Sequence, residues 1–126
     1  MMMPNSSPSA LDVAAVVPDL FFAMRIETLL QRSDRTVVFC RSLEELQTVV
    51  MERRPILVLV DLGARSIDVI AAIRQAKAAE VAQVIVFGPH KDLALPAAAR
   101  DAGADRWVTN QSLLATLAEV FGTTSA

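Results

Sequence analysis

The stretch Arg53-Arg54-Pro55-Ile56-Leu57-Val58-Leu59-Val60-Asp61-Leu62-Gly63 decides the fold. Two arginines and a proline lead into an unbroken apolar run, which ends on one carboxylate with a glycine two residues on. A short apolar run without polar alternation is the pattern of a central parallel strand, buried on both faces. Open α/β sheets place their sites at the C-terminal ends of such strands. Asp61 therefore has three readings: a nucleophile, a metal ligand, or a cap for the segment that follows.

Upstream, Val13-Ala14-Ala15-Val16-Val17 is apolar and β-branched at three of five positions, a first buried strand that stops at Pro18-Asp19. Leu20 to Arg32 follows as a helix, with Phe22, Ile26, Leu29 and Leu30 on one face. Residues 36–40 form a second strand. Ser42 and Glu45 have the spacing of a capping box, so a helix is predicted from there to Arg53, burying Leu46, Val49 and Val50.

Downstream, Ile67, Ile70, Ala71 and Ile73 recur at helical spacing, with Arg74, Gln75 and Lys77 on the wet side. A fourth strand is predicted over 84–87, stopped by Gly88-Pro89. A short helix should begin close to Pro96 and end before Gly103. Arg106 to Thr109 is a fifth strand, and Ser112 is placed to cap a last helix whose inward face includes Leu113, Leu114, Leu117, Val120 and Phe121.

Five strands alternating with five helices predict an α/β, flavodoxin-like (βα)5 three-layer sandwich, with a five-stranded parallel sheet in order 2-1-3-4-5. The first and third strands are then neighbours at the topological switch point. Asp19 and Asp61 emerge there side by side, the one carboxylate pair this architecture brings together at a functional edge.

Composition bounds the function. A chain of 126 residues with 53% hydrophobic content suits one domain. Residues 1–10, rich in Ser, Pro and Asn, read as a disordered tail, the folded domain as 11–122, and 123–126 as a C-terminal tail. Twelve basic and fourteen acidic residues with no basic block exclude the footprint of nucleic-acid binding. No apolar run is long enough to cross a bilayer, so a soluble cytoplasmic protein without membrane partners is the expectation. The single Cys40 follows Val37-Val38-Phe39 and reads as a small buried hydrophobe. It excludes a disulfide framework.

The order of elements and their landmark residues resemble the receiver domain of two-component response regulators, over residues 13–121. The matches are Pro55-Ile56-Leu57-Val58-Leu59-Val60-Asp61-Leu62, similar to the family's phospho-acceptor strand, and Gly103-Ala104-Asp105 followed by the aromatic Trp107. Asp68, seven residues past Asp61, also stands where the family commonly has an aspartate. The resemblance implies Asp61 as acceptor, a magnesium ion held by two acids after the first strand, and a hydroxyl and a lysine ending the fourth and fifth strands to bind phosphoryl oxygens.

Only part of that set is present. Asp19 matches one acid and Pro18 replaces the other. Gly88 replaces the hydroxyl residue, Asn110 the lysine and Gln111 the proline after it; Ala64-Arg65 replaces the usual Met-Pro. A cis bond before Gln111 would cost roughly 2.5–4 kcal/mol, which argues against the family's cis peptide. Losing a single oxyanion-type donor costs roughly a hundredfold to a thousandfold in rate. The pocket positions Pro18, Gly63, Gly88 and Asn110 thus predict a pseudo-receiver, in which Asp61 is a vestigial acceptor and Asp19 with Asp61 a weak or lost metal site. No cofactor is required, and Mg²⁺ would bind weakly.

The resemblance further implies signalling through the fourth helix, fifth strand and fifth helix, which makes Arg106 and Trp107 the expected interaction face. It implies a protein partner, a histidine kinase or a downstream regulator, with no enzymatic activity and no effector domain. A homodimer through the last helix and strand is expected by analogy only. The competing reading is a phospho-accepting receiver in a phosphorelay, modified on Asp61 at an atypical magnesium-dependent site, with His90, Lys91, Arg65 or Arg106 replacing the lost positive charge. A phosphatase of the haloacid dehalogenase type would need a second acid where Gly63 stands. A nucleotide-binding enzyme would need a glycine-rich turn where the chain has Pro18-Asp19-Leu20-Phe21.

Overall fold

Pro55 is buried, and the strand it leads into starts two residues later: β3 is Leu57–Asp61. Ile56 is 46% exposed, so the apolar run is not buried throughout. Apolarity marks the run, but the ladder begins only where β1, Val13–Val16, offers partners, Val13 lying opposite Leu57. A computed structural model of the chain describes residues 11–89 and 94–122. The tails at 1–10 and 123–126 and the cations His90 and Lys91 lie outside the described residues.

The remaining elements are α1 Leu20–Arg32, β2 Val37–Phe39, α2 Leu43–Glu52, α3 Val69–Ala78, β4 Gln83–Gly88, α4 Ala94–Ala102, β5 Arg106–Thr109 and α5 Leu113–Val120. The sheet is parallel throughout, in order β2-β1-β3-β4-β5. Strand alternation divides its side chains between two cores. Ala14, Val16, Val58, Val60, Val84 and Val86 pack with α2, α3 and α4 through Leu46, Val50, Ala72, Ile73 and Ala99. Val13, Ala15, Leu57, Leu59, Ile85 and Phe87 pack with α1 and α5 through Ile26, Leu30, Leu113 and Leu117. Each fully buried Leu, Ile or Phe contributes about 1.5–3 kcal/mol, so these two layers hold the sheet and helices together.

Several local expectations are corrected. β1 ends at Val16, and β2 is shorter than 36–40. Ser42 Oγ accepts from Glu45 N at 3.0 Å, but Glu45 Oε1 accepts from Arg41 N at 2.7 Å instead of from Ser42 N, so the box closes one residue early. Ile67 precedes α3, whose N-cap is Asp68, accepting from Ala71 N at 3.0 Å. Its buried face is Val69, Ala72, Ile73 and Ala76; Ile70 and Ala71 are half-buried, as are Gln75 and Lys77. Pro96 is the third residue of α4, within the first turn, where no intrahelical N–H bond is lost. Ser112 makes no side-chain cap on α5. Thr109 Oγ1 takes the Ser112 N–H at 3.2 Å and donates to Ser112 Oγ at 3.0 Å, which occupies the hydroxyl that would have capped.

The Gly103-Ala104-Asp105 turn also has a structural account. Gly103 has φ 120°, and a Cβ there would lie 2.5 Å from Lys77 Cγ, so the lysine stem packs where only glycine leaves room. Asp105 Oδ2 accepts from Val84 N at 2.8 Å while Lys77 Nζ approaches Oδ1 at 3.4 Å, which fixes the start of β4 beside β5.

Candidate functional site

The register sets the C-terminal edge. Val16 pairs with Val60, Asp61 with Phe87 and Gly88 with Thr109, so the residues following β1, β3, β4 and β5 reach the same end of the sheet. Asp19, Asp61, Gly63 and Asn110 line one cavity there, about 420 Å³, together with Phe21, Phe22, Arg25 and Pro89. Gly88 lines a neighbouring cavity of about 320 Å³ with Leu62, Gly63, Ala64, Arg65, Leu95, Pro96 and Trp107. Gly63 and Pro89 are common to both. Pro18 belongs to neither: it is exposed and lines an apolar cavity on the far side of α1, so the lost acid leaves nothing in its place toward Asp61.

Both acids are held by the backbone. Asp61 Oδ1 accepts from Gly63 N at 2.8 Å, an Asx-turn that folds the chain back over the carboxylate. Asp19 is the N-cap of α1, its Oδ1 accepting from Phe22 N at 3.1 Å. Phe22 in turn sets its ring edge-on to buried Phe87, centroids 5.2 Å apart, which seats the start of α1 over the ends of β3 and β4. Burial of the Asp61 carboxyl raises its pKa above the ordinary 3.8; the Gly63 N–H opposes this, and the charge of Asp19 adds to it.

Cations are sparse around this pair among the described residues. Arg106, at the opposite end of β5, is tied to Glu119 Oε1 at 3.0 Å and does not line either cavity at the edge. Arg65 lines the Gly88 cavity only. Among the described residues, Arg25 is the cation that shares the cavity with Asp19 and Asp61, and sequence reasoning missed it. The signal was its spacing: Phe21 and Arg25 stand four apart on α1, on the helix face beside the Ile26 and Leu30 stripe.

The fit to a magnesium ion is poor. Mg²⁺ is usually held through one or two carboxylates with water and phosphate oxygens; Asp61 and Asp19 each have Oδ1 engaged by a main-chain N–H, which leaves Oδ2 of each, and the second acid after β1 is replaced by Pro18. No group of three His, Cys, Asp or Glu side chains converges among the described residues. Gly88 offers no hydroxyl, and Asn110 is tied by its backbone N–H to Gly88 O at 3.1 Å. All described peptide bonds are trans, that before Gln111 included.

Trp107 lies between the Gly88 cavity and a third, about 310 Å³, lined by Val86, Pro96, Ala97, Arg100, Ala104, Asp105 and Arg106. Its Nε1 is buried without an acceptor among the described residues. Orphaned donors of this kind are rare in folded chains and cost about 1–3 kcal/mol.

No family model matches the chain, and no curated protein matches it. Solved structures do. A CheY-like response-regulator receiver domain protein from Methanospirillum hungatei JF-1 superposes with a TM-score of 0.73 at 16% identity, over 90% of this chain and 94% of that one. A two-component response regulator from Clostridium difficile gives 0.75 at 9% identity, over 92% and 99%. The receiver domain of a sensor histidine kinase from Pseudomonas aeruginosa PAO1, with magnesium coordinated in its active-site cleft, gives 0.71 at 15% identity, over 90% and 99%. The structural neighbours are thus receiver domains, and the chain has their fold.

Proposed function

We propose that the chain is a receiver-like signalling module that acts by protein contact and not by phosphoryl transfer. The observation that carries this is the make-up of the sheet edge. The positions from which receivers bind phosphoryl oxygens hold Gly88 and Asn110, and Asp61 is turned onto its own Gly63 N–H. Among the described residues such a carboxylate serves as a turn cap, without the hydroxyl and the lysine that would hold a phosphoryl group beside it. The module is not an enzyme and requires no cofactor.

Contact is made through the face of α4, β5 and α5 centred on Trp107 and Arg106. Trp107 brings a large ring and an unpaired donor to the wall between two cavities, and aromatic residues of this kind anchor interfaces. The partner is a protein of a two-component pathway, a histidine kinase or a downstream regulator.

The test is to incubate the chain with Mg²⁺ and acetyl phosphate and to weigh the intact protein. Its mass stays unchanged, and Mg²⁺ leaves the fluorescence of Trp107, the single tryptophan, unaltered. An added phosphoryl mass that vanishes in Asp61→Asn establishes the phospho-accepting reading instead.

A further inference from the structure

Five large apolar side chains are exposed among the described residues: Leu20, Phe21 and Met24 on α1, Met51 on α2, and Ile56. The first three are 75%, 83% and 63% exposed and fall within five residues. None of the five lies on β5 or α5, where a homodimer was expected by analogy. Exposed apolar residues scattered singly need no explanation, but a cluster does.

Two of these three, Leu20 and Met24, border a groove. Leu20 and Met24, four apart on α1, form one wall of an apolar cavity of about 560 Å³; Phe39 and Cys40 line it from the end of β2 and Ile67 from the β3–α3 connection. Burial raises the Cys40 pKa to about 12, with the charge of Glu45 adding to the rise, so the thiol is neutral and adds apolar surface. Two charges stand on the rim: Glu27 on the α1 side and Arg41 on the β2–α2 side. Both side chains are exposed, and neither has an ion-pair partner among the described residues.

We infer that this groove is covered by a second copy of the chain, in a two-fold homodimer. The charge arrangement selects that occupant. A two-fold axis along a groove turns each wall onto the opposite wall of the other copy. Glu27 of each chain then meets Arg41 of its partner, twice over, and Leu20 and Met24 of both copies leave water together. An isologous interface requires this kind of self-complementarity. A rim of one sign would instead repel its own copy and select an oppositely charged partner. The inference does not depend on whether Asp61 is modified, and it leaves the Trp107 face free.

Sedimentation equilibrium from low micromolar to near-millimolar protein tests it, on wild type, Glu27→Arg and Arg41→Glu. Wild type is a monomer–dimer equilibrium, and each reversal weakens self-association by about tenfold or more, because two pairs are lost together. Mixing the two variants restores the dimer: the Glu27→Arg chain has cations at both rim positions and the Arg41→Glu chain has carboxylates at both, so the two contacts between them are complementary. Both substituted residues are exposed, and circular dichroism checks that each variant is folded. A wild type that is monomeric throughout overturns the inference. So does a dimer unaffected by either reversal, which places the interface elsewhere, or a mixture of two monomeric variants that fails to pair.

Discussion

At the N-terminal edge of the sheet, Asp12 and Asp105 each take up a main-chain N–H and a cationic side chain. Asp12 accepts from Thr36 N at 2.8 Å and Arg35 lies 3.4 Å away, its guanidinium over the Phe121 ring at 5.0 Å; Asp105 accepts from Val84 N and faces Lys77. At the C-terminal edge, Asp19 and Asp61 also each accept a main-chain N–H, but no ion pair forms there among the described residues. One edge uses its acids to join strands and helices. The other keeps two acids close enough for one to raise the pKa of the other. The same residue type ties the fold together where charge and hydrogen bonding are both satisfied, and is left with an uncompensated charge where they are not.

The largest effect is expected at the satisfied edge. Asp105→Ala leaves the Val84 N–H without its acceptor and removes the Lys77 pair, a loss of about 1–3 kcal/mol from the hydrogen bond and at most about 1 kcal/mol from the exposed pair. Urea unfolding measures it. A loss below about half a kcal/mol, smaller than a typical net hydrogen bond, would erase the contrast between the two edges.

A smaller effect of opposite sign is expected at the other edge. Asp61→Asn keeps an acceptor for Gly63 N and removes a half-buried charge, so it should stabilise the fold at pH 7, within the roughly 0.5–2 kcal/mol common for single stabilising changes. The pH dependence follows from the raised pKa. The native state takes up a proton more readily than the unfolded chain, so ionised Asp61 costs stability above its folded pKa. As pH falls through that value toward the ordinary 3.8, the cost disappears, and the gap between wild type and Asp61→Asn closes. A gap that widens on acidification contradicts this sign.

The strand order and α1 were legible in the sequence because long-range constraints reinforced local ones. Asp19 caps α1 at the predicted start, and Leu20–Arg32 is the helix that the apolar spacing predicts. The α3 face was misread because its buried contacts are largely alanines, Ala72 and Ala76, which signal burial weakly beside Ile67 and Ile70. The Ser112 cap failed because Thr109, three residues earlier, competes for the same hydroxyl and N–H. At the site, topology brought Asp19 and Asp61 together, as read from the sequence. The division of Gly88 from Asn110 into separate cavities was not legible, because it depends on how Gly63 and Pro89, which line both, sit at the edge. Arg25 escaped notice because a charged residue on an amphipathic helix reads as solvated surface.

The proposed function requires that this edge kept the receiver fold and lost the groups that would make Asp61 an acceptor. The triple variant Pro18→Asp, Gly88→Thr, Asn110→Lys puts back an acid after β1, a hydroxyl at the end of β4 and a lysine after β5, and position 88 has room: a Cβ there meets Leu62 Cβ at 3.4 Å, an ordinary contact. Wild type and triple variant are incubated side by side with Mg²⁺ and acetyl phosphate, and their intact masses are compared. The expected result is an unmodified wild type and a triple variant that gains one phosphoryl group, lost again when Asp61→Asn is added. A wild type phosphorylated on Asp61 to the same extent as the triple variant would show instead that this edge is a working acceptor site.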